Sequence, residues 1–134
     1  MSLLWYTVVI DCHDNAAQAR WWAQTLGWKV GYEDDDEVVI APPDATEDPV
    51  ETLEEWRLQR QELVFVRVEE GKTLKNRLHL DLAPHTTQDR DGEIASLLDR
   101  GAALAEVGQP DDVTWTVLTD PEGNEFCVLS ARDR

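Results

Sequence analysis

A histidine, two carboxylates and a thiol stand where strand alternation can gather them. His79-Leu80-Asp81 lies in the run Arg77-Leu-His-Leu-Asp-Leu, and Glu125-Phe126-Cys127 lies near the C-terminus. Side chains in a strand alternate with period two, so His79 shares a face with Asp81, and Glu125 with Cys127. An imidazole beside a carboxylate is a titratable group with an orienting partner, which suits general acid-base work. His79 and Asp81 are therefore the candidate catalytic pair. The plainer reading is that they form, with Arg77, a satisfied polar cluster inside a sheet. His-x-Asp is also the pair used with a distant second histidine in 2-His-1-carboxylate iron sites. The other histidines, His13 and His85, read as loop residues near helix starts. Cys127 with His79 suggests a thiolate-imidazole pair, but no oxyanion arrangement is legible beside it. Two ligands are also too few for a tetrahedral zinc site.

The elements that must position these residues read as two similar halves. Leu3–Asp11 is a strand, and Asp14 or Asn15 caps a helix over Ala16–Leu26 that ends at Gly27. Of the adjacent pair Trp21-Trp22, at least one is expected in the core. Trp28–Tyr32 and Glu37–Ala41 follow as short strands. Asp48 as cap and Pro49 at the first turn suggest an amphipathic helix through Val50, Leu53 and Trp56. Glu62–Val68 is the fourth strand. In the second half, Asn76–Ala83 is a strand and Thr86 or Thr87 opens a helix through Ile94, Leu97 and Leu98 to Gly101. Ala102–Val107 is a strand, and Val113–Thr119 with Phe126–Leu129 make a hairpin around the turn Asp120-Pro-Glu-Gly-Asn124. Thr7 to Gly27 is 20 residues and His79 to Gly101 is 22. Repetition of that kind predicts a duplicated, α+β architecture with mixed, largely antiparallel sheets.

The segments Asn76-Arg-Leu-His-Leu-Asp-Leu and Asp120-Pro-Glu-Gly-Asn-Glu-Phe-Cys, with the helix ending Leu26-Gly-Trp28, resemble the vicinal oxygen chelate superfamily of glyoxalases, bleomycin-resistance proteins and extradiol dioxygenases. The closest likeness is to its glyoxalase-like domains. The resemblance implies two βαβββ modules forming a curled mixed sheet around a central pocket. Residues 1–134 then make one such domain, with module one over about 1–70, an acidic insertion over about 42–61, and module two over about 75–134. In metal-dependent members, ligands come from the first and fourth strands of each module. Carried over, those positions fall on Thr7, on or near Phe65, on His79, and on Cys127 where the family pattern has Glu. Only His79 matches, so no catalytic metal is expected and a divalent ion is left as the lesser possibility. Ligand binding is expected at Thr7, Phe65, Arg77, Trp115, Glu125 and Cys127, with Trp5 as a further aromatic that could line a pocket.

Composition narrows the classes of function. With 12 basic and 28 acidic residues the formal charge is −16, which sets the chain against phosphate-backbone binding. Eleven Asp or Glu and no Lys or Arg fall within residues 33–55, so most of that charge is one solvated segment. Apolar content of 42% with six Trp argues against disorder. Cys12 and Cys127 read as reduced, buried thiols. No signal peptide or membrane span is legible, so a cytoplasmic protein is expected. The leading expectation is a small-molecule-binding protein of sequestration or resistance type. The alternative is a lyase, isomerase or dioxygenase using His79, and a third class is an interaction module that uses the acidic segment. The resemblance also implies pairing into a homodimer.

Overall fold

β-branched residues dominate Thr7–Cys12, and this run forms strand β1. A computed structural model describes residues 3–134. Helix α1 (Asn15–Leu26) is capped by Asp14, whose side chain accepts from Ala17 N–H at 3.0 Å. It stops at Gly27, where φ of 66° lets the chain turn and Trp28 N–H reach the Ala23 carbonyl at 2.8 Å. Strands β2 (Lys29–Glu33), β3 (Glu37–Ala41) and β4 (Glu62–Arg67) complete a sheet of order β1-β4-β3-β2. β4 runs parallel to β1 and antiparallel to β3.

Alternating burial along β3 and β4 puts Val38, Ile40, Leu63 and Phe65 on the face that α1 covers. Both members of the tryptophan pair are core: Trp21 and Trp22 are buried and meet edge to face at 5.2 Å.

Between β3 and β4 lies the expected insertion, but its helix α2 is Leu53–Arg57. Thr52 is the cap, accepting from Glu55 N–H at 3.1 Å, and Asp48 and Pro49 precede the helix. The Thr52-x-x-Glu55 spacing outcompetes Asp48 because its hydroxyl satisfies a free N–H at the point where helical hydrogen bonds start. No α2 residue is buried, so the helix is not held by an apolar stripe as expected.

The chain divides into two compact units between Gly71 and Lys72. The second holds β5 (Leu80–Leu82), α3 (Arg90–Asp99), β6 (Ala103–Leu104), β7 (Thr116–Thr119) and β8 (Glu125–Val128). Its sheet order, β5-β8-β7-β6, with β5 parallel to β8, repeats the first. The molecule is thus α+β, with one four-stranded mixed sheet and a βαβββ order in each unit, α2 being inserted in the first.

Three elements here are shorter or later than the sequence pattern implies. Asn76 does not join a strand, because its backbone N–H goes to Glu125 and its side-chain amide to Asn124, at 3.0 Å each. Asp89, not Thr86 or Thr87, caps α3, accepting from Gly92 N–H at 3.2 Å, while the Thr87 hydroxyl is taken by His85 Nδ1 at 2.8 Å. Beyond β6, Gln109 folds back, its side chain accepting from Val107 N–H and donating to the Ala105 carbonyl. Those local bonds replace a longer ladder.

Candidate functional site

Register decides which side chains meet. β5 and β8 pair in parallel with Asp81 opposite Cys127, and β7 pairs with Val117 opposite the same cysteine. Alternation then sends Asp81, Val117, Glu125 and Cys127 to one face, joined by His79, just ahead of β5, and by Trp115 and Leu129 at the ends of β7 and β8. Leu118, Phe126 and Val128 go to the opposite face, into the core. On that side Arg90 of α3 ties the sheet, donating to the carbonyls of Leu129 and Val128 and to the Thr116 hydroxyl at 2.8, 2.8 and 3.0 Å.

The first face floors a cleft of about 430 Å³. Lys75, Val107, Gly108 and Gln109 add its loop walls. Within it, His79 Nε2 stands 3.2 Å from Asp81 Oδ1, both side chains about half exposed. Cys127 is buried, its thiol hydrogen-bonded to Asp81. Burial first, then the Asp81 charge and that hydrogen bond, push the thiol above its ordinary range. That direction is opposite to the lowered pKa of a catalytic thiolate, so it lends a covalent thiolate role no support.

Glu125 also lines the cleft, but both its oxygens are occupied. Oε1 meets Lys72 Nζ at 2.9 Å and Oε2 accepts from Asn76 N–H at 3.0 Å. Burial raises its pKa, and the Lys72 and backbone hydrogen bonds outweigh that and hold it below the ordinary glutamate range. Its action is to clamp the 72–76 segment beside the strands.

The remaining expected residues lie elsewhere. Arg77 is exposed and outside the cleft lining, so it does not complete a cluster with His79 and Asp81. Thr7 and Phe65 occupy opposite faces of the first sheet. Val9 pairs with Val64 and Ile10 with Phe65, so Thr7 shares its face with Val9 and Val64, while Phe65 points into the core and is fully buried. The counterpart of Cys127 in the first unit is therefore Val64, next to Phe65 but on the other face, since one residue of strand is one change of face. Trp5 lines a different cleft, of about 290 Å³, with Tyr6, Val50 and the Asp44–Arg60 ion pair. Sequence reasoning missed Val117, Leu129, Lys75 and Gln109. Period-two counting from Trp115 and Cys127 finds the first two; Lys75 and Gln109 come from loops and carry no periodic signal.

The divalent metal implied by the resemblance can be tested on donor chemistry. Thr7 commits its hydroxyl to the Glu62 carbonyl at 2.9 Å, and Val64 offers only hydrocarbon, so the first unit supplies no donor from either position. The second unit differs: one ligand atom each from His79, Asp81 and Cys127 all lie within 4.8 Å of one another. A nitrogen, an oxygen and a sulfur fit a borderline divalent ion in a three-ligand site.

Residues 7–129 match the model of a family described as a glyoxalase-like domain. Solved structures with a similar backbone include a glyoxalase/bleomycin resistance protein/dioxygenase family enzyme from Burkholderia phytofirmans PsJN. Its TM-score is 0.68 at 16% identity, covering 97% of this chain and 100% of that one. A possible glyoxalase from Bacillus cereus gives 0.62 at 13% identity, over 92% and 95% of the two chains. The bleomycin-binding protein from bleomycin-producing Streptomyces verticillus, complexed with copper(II)-bleomycin, gives 0.54 at 16%, over 98% and 99%. At such identities the likeness is one of fold. No curated protein matches the sequence.

Proposed function

The chain belongs to the glyoxalase-like domain family, and from that premise we propose that it is a small-molecule-binding protein of the sequestration or resistance type, its ligand lodged in the cleft of the second unit. The observation that carries this reading is the composition of that cleft. Its volume of about 430 Å³ lies in the range of small-molecule sites. Trp115, Val117 and Leu129 offer an apolar wall, while His79, Asp81 and Gln109 supply a few polar groups at fixed places. Such a surface suits a flat, partly apolar molecule with a hydrogen-bonding edge, stacked on the indole. Asp81 and the −16 net charge disfavour polyanions. That a bleomycin-binding protein shares the fold supports sequestration as a role. A homodimer and a cytoplasmic location complete the reading; light scattering of the purified chain checks the first.

The test is a thermal-shift screen of planar metabolites and drugs in the presence of chelator, followed by calorimetry on any hit. Trp115→Ala, at a side chain 39% exposed, should leave the fold intact and weaken a hit about 10-fold or more. Unchanged affinity in that variant would remove the cleft from the reading.

One observation favours a second reading, an enzyme of the same superfamily. The 3.2 Å contact holds His79 through Nε2 and leaves Nδ1 to carry a proton to or from a substrate. That reading requires turnover which His79→Ala abolishes while substrate affinity survives.

A further inference from the structure

We propose that His79, Asp81 and Cys127 form a binding site for one thiophilic divalent cation of the zinc class, built wholly within the second unit and open to the cleft. The inference shares the cleft with the binding reading and adds to it a cation held by the protein itself. It differs from the four-strand arrangement that the resemblance implies, because Thr7 and Val64 contribute nothing and Asp81 supplies the third donor.

Three features carry it. The first is geometry: His79 Nε2 and Asp81 Oδ1 stand 3.2 Å apart, and tetrahedral bonds of about 2.0 Å to nitrogen and oxygen require an edge of roughly 3.3 Å. The three ligand atoms fall within 4.8 Å of one another, and an edge from sulfur to nitrogen or oxygen of roughly 3.5 Å needs only a modest closure. The second is rigidity, since Asp81 and Cys127 are opposite one another in the β5–β8 ladder and cannot drift apart without breaking strand pairing. The third is donor choice. Imidazole with thiolate favours zinc-like ions over magnesium or calcium, which take oxygen ligands. The exposed acidic residues of 33–55 have no sulfur among them, so a sulfur signature separates this site from loose cation binding there. Three protein ligands would leave a fourth position for a small molecule with a lone pair bound in the same cleft. The half-exposed His79 and Asp81 leave a path of entry.

Full-length protein, reduced and stripped with chelator, is titrated with Co²⁺ and followed by absorption. One equivalent should raise a thiolate-to-cobalt charge-transfer band with the d–d bands of a tetrahedral ion, and Zn²⁺ should bleach both. Cys127→Ser should lose the charge-transfer band and Cys12→Ser should keep it. His79→Gln, at a surface-accessible position, should bind cobalt about 10-fold more weakly or worse, which keeps the proposal falsifiable if Cys127→Ser does not fold. No band at saturating cobalt, a band that persists in Cys127→Ser, or unchanged affinity in His79→Gln overturns the site. Organic ligands are screened with chelator present, so a cobalt band with no organic hit sinks the binding reading alone, and a hit without a band sinks the cation site alone.

Discussion

Phe65 and Trp115 show how differently two aromatic residues act when one strand position separates faces. Phe65 is fully buried on the side that α1 covers, and removing a ring from such a place leaves a cavity that the sheet cannot collapse. Phe65→Ala should cost about 3–5 kcal/mol of stability, read from urea denaturation. A loss under about 1 kcal/mol would return Phe65 to the list of ligand-facing candidates. Trp115 keeps its ring partly in the cleft instead, and its removal is read in affinity. His79 and Asp81 were legible as a pair from their spacing alone. Cys127 was legible as a candidate, but its contact with Asp81 depends on a register between β5 and β8 that no local pattern encodes.

At the scale of elements, capping chemistry locates the helices better than apolar periodicity. Asp89 holds the first turn of α3, whereas the Thr87 hydroxyl belongs to a turn with His85. Asp89→Ala should therefore lower stability by about 1 kcal/mol and Thr87→Ala by less than about half that; the reverse order would restore the earlier helix start. The Glu125 clamp has a pH signature. Its pKa in the folded protein lies below the ordinary value of about 4.3. The stability it contributes is thus fully present above that value and is lost as pH falls through the folded pKa. Glu125→Gln should be less stable than wild type at neutral pH by roughly 1.5–3 kcal/mol at most, the range for hydrogen bonds to a charged group, and the gap should close in acid. A gap that stays constant with pH would show that the carboxylate charge does not hold the 72–76 segment.

For the whole molecule, charge is the dominant feature. A net −16 over 134 residues makes the folded state repel itself, with the excess concentrated at 33–55. Monovalent salt should raise the thermal midpoint by screening that repulsion. A fall with salt would mean that ion pairs such as Lys72–Glu125 outweigh it. Among the described residues no helix is long and apolar enough to cross a membrane. The two units repeat one sheet order, β1-β4-β3-β2 and β5-β8-β7-β6, and the repeat extends to the pairing of the first strand with the last.

That repeat was determined by the sequence itself: strand runs, the Gly27 and Gly101 helix ends and the Asp120–Asn124 turn are local signals, since each rests on side-chain period or backbone freedom over a few residues. Charge, the buried cysteines and the His79–Asp81 pair were equally readable, being matters of composition and spacing. Tertiary structure alone decided that Asp81 faces Cys127, that Phe65 turns away from Thr7, that Glu125 is spent on Lys72 and Asn76, and that Lys75 and Gln109 wall the cleft. Each of these depends on the register of strands distant in sequence or on the path of a loop. A shift of one residue reverses a face while leaving the pattern within each strand unchanged.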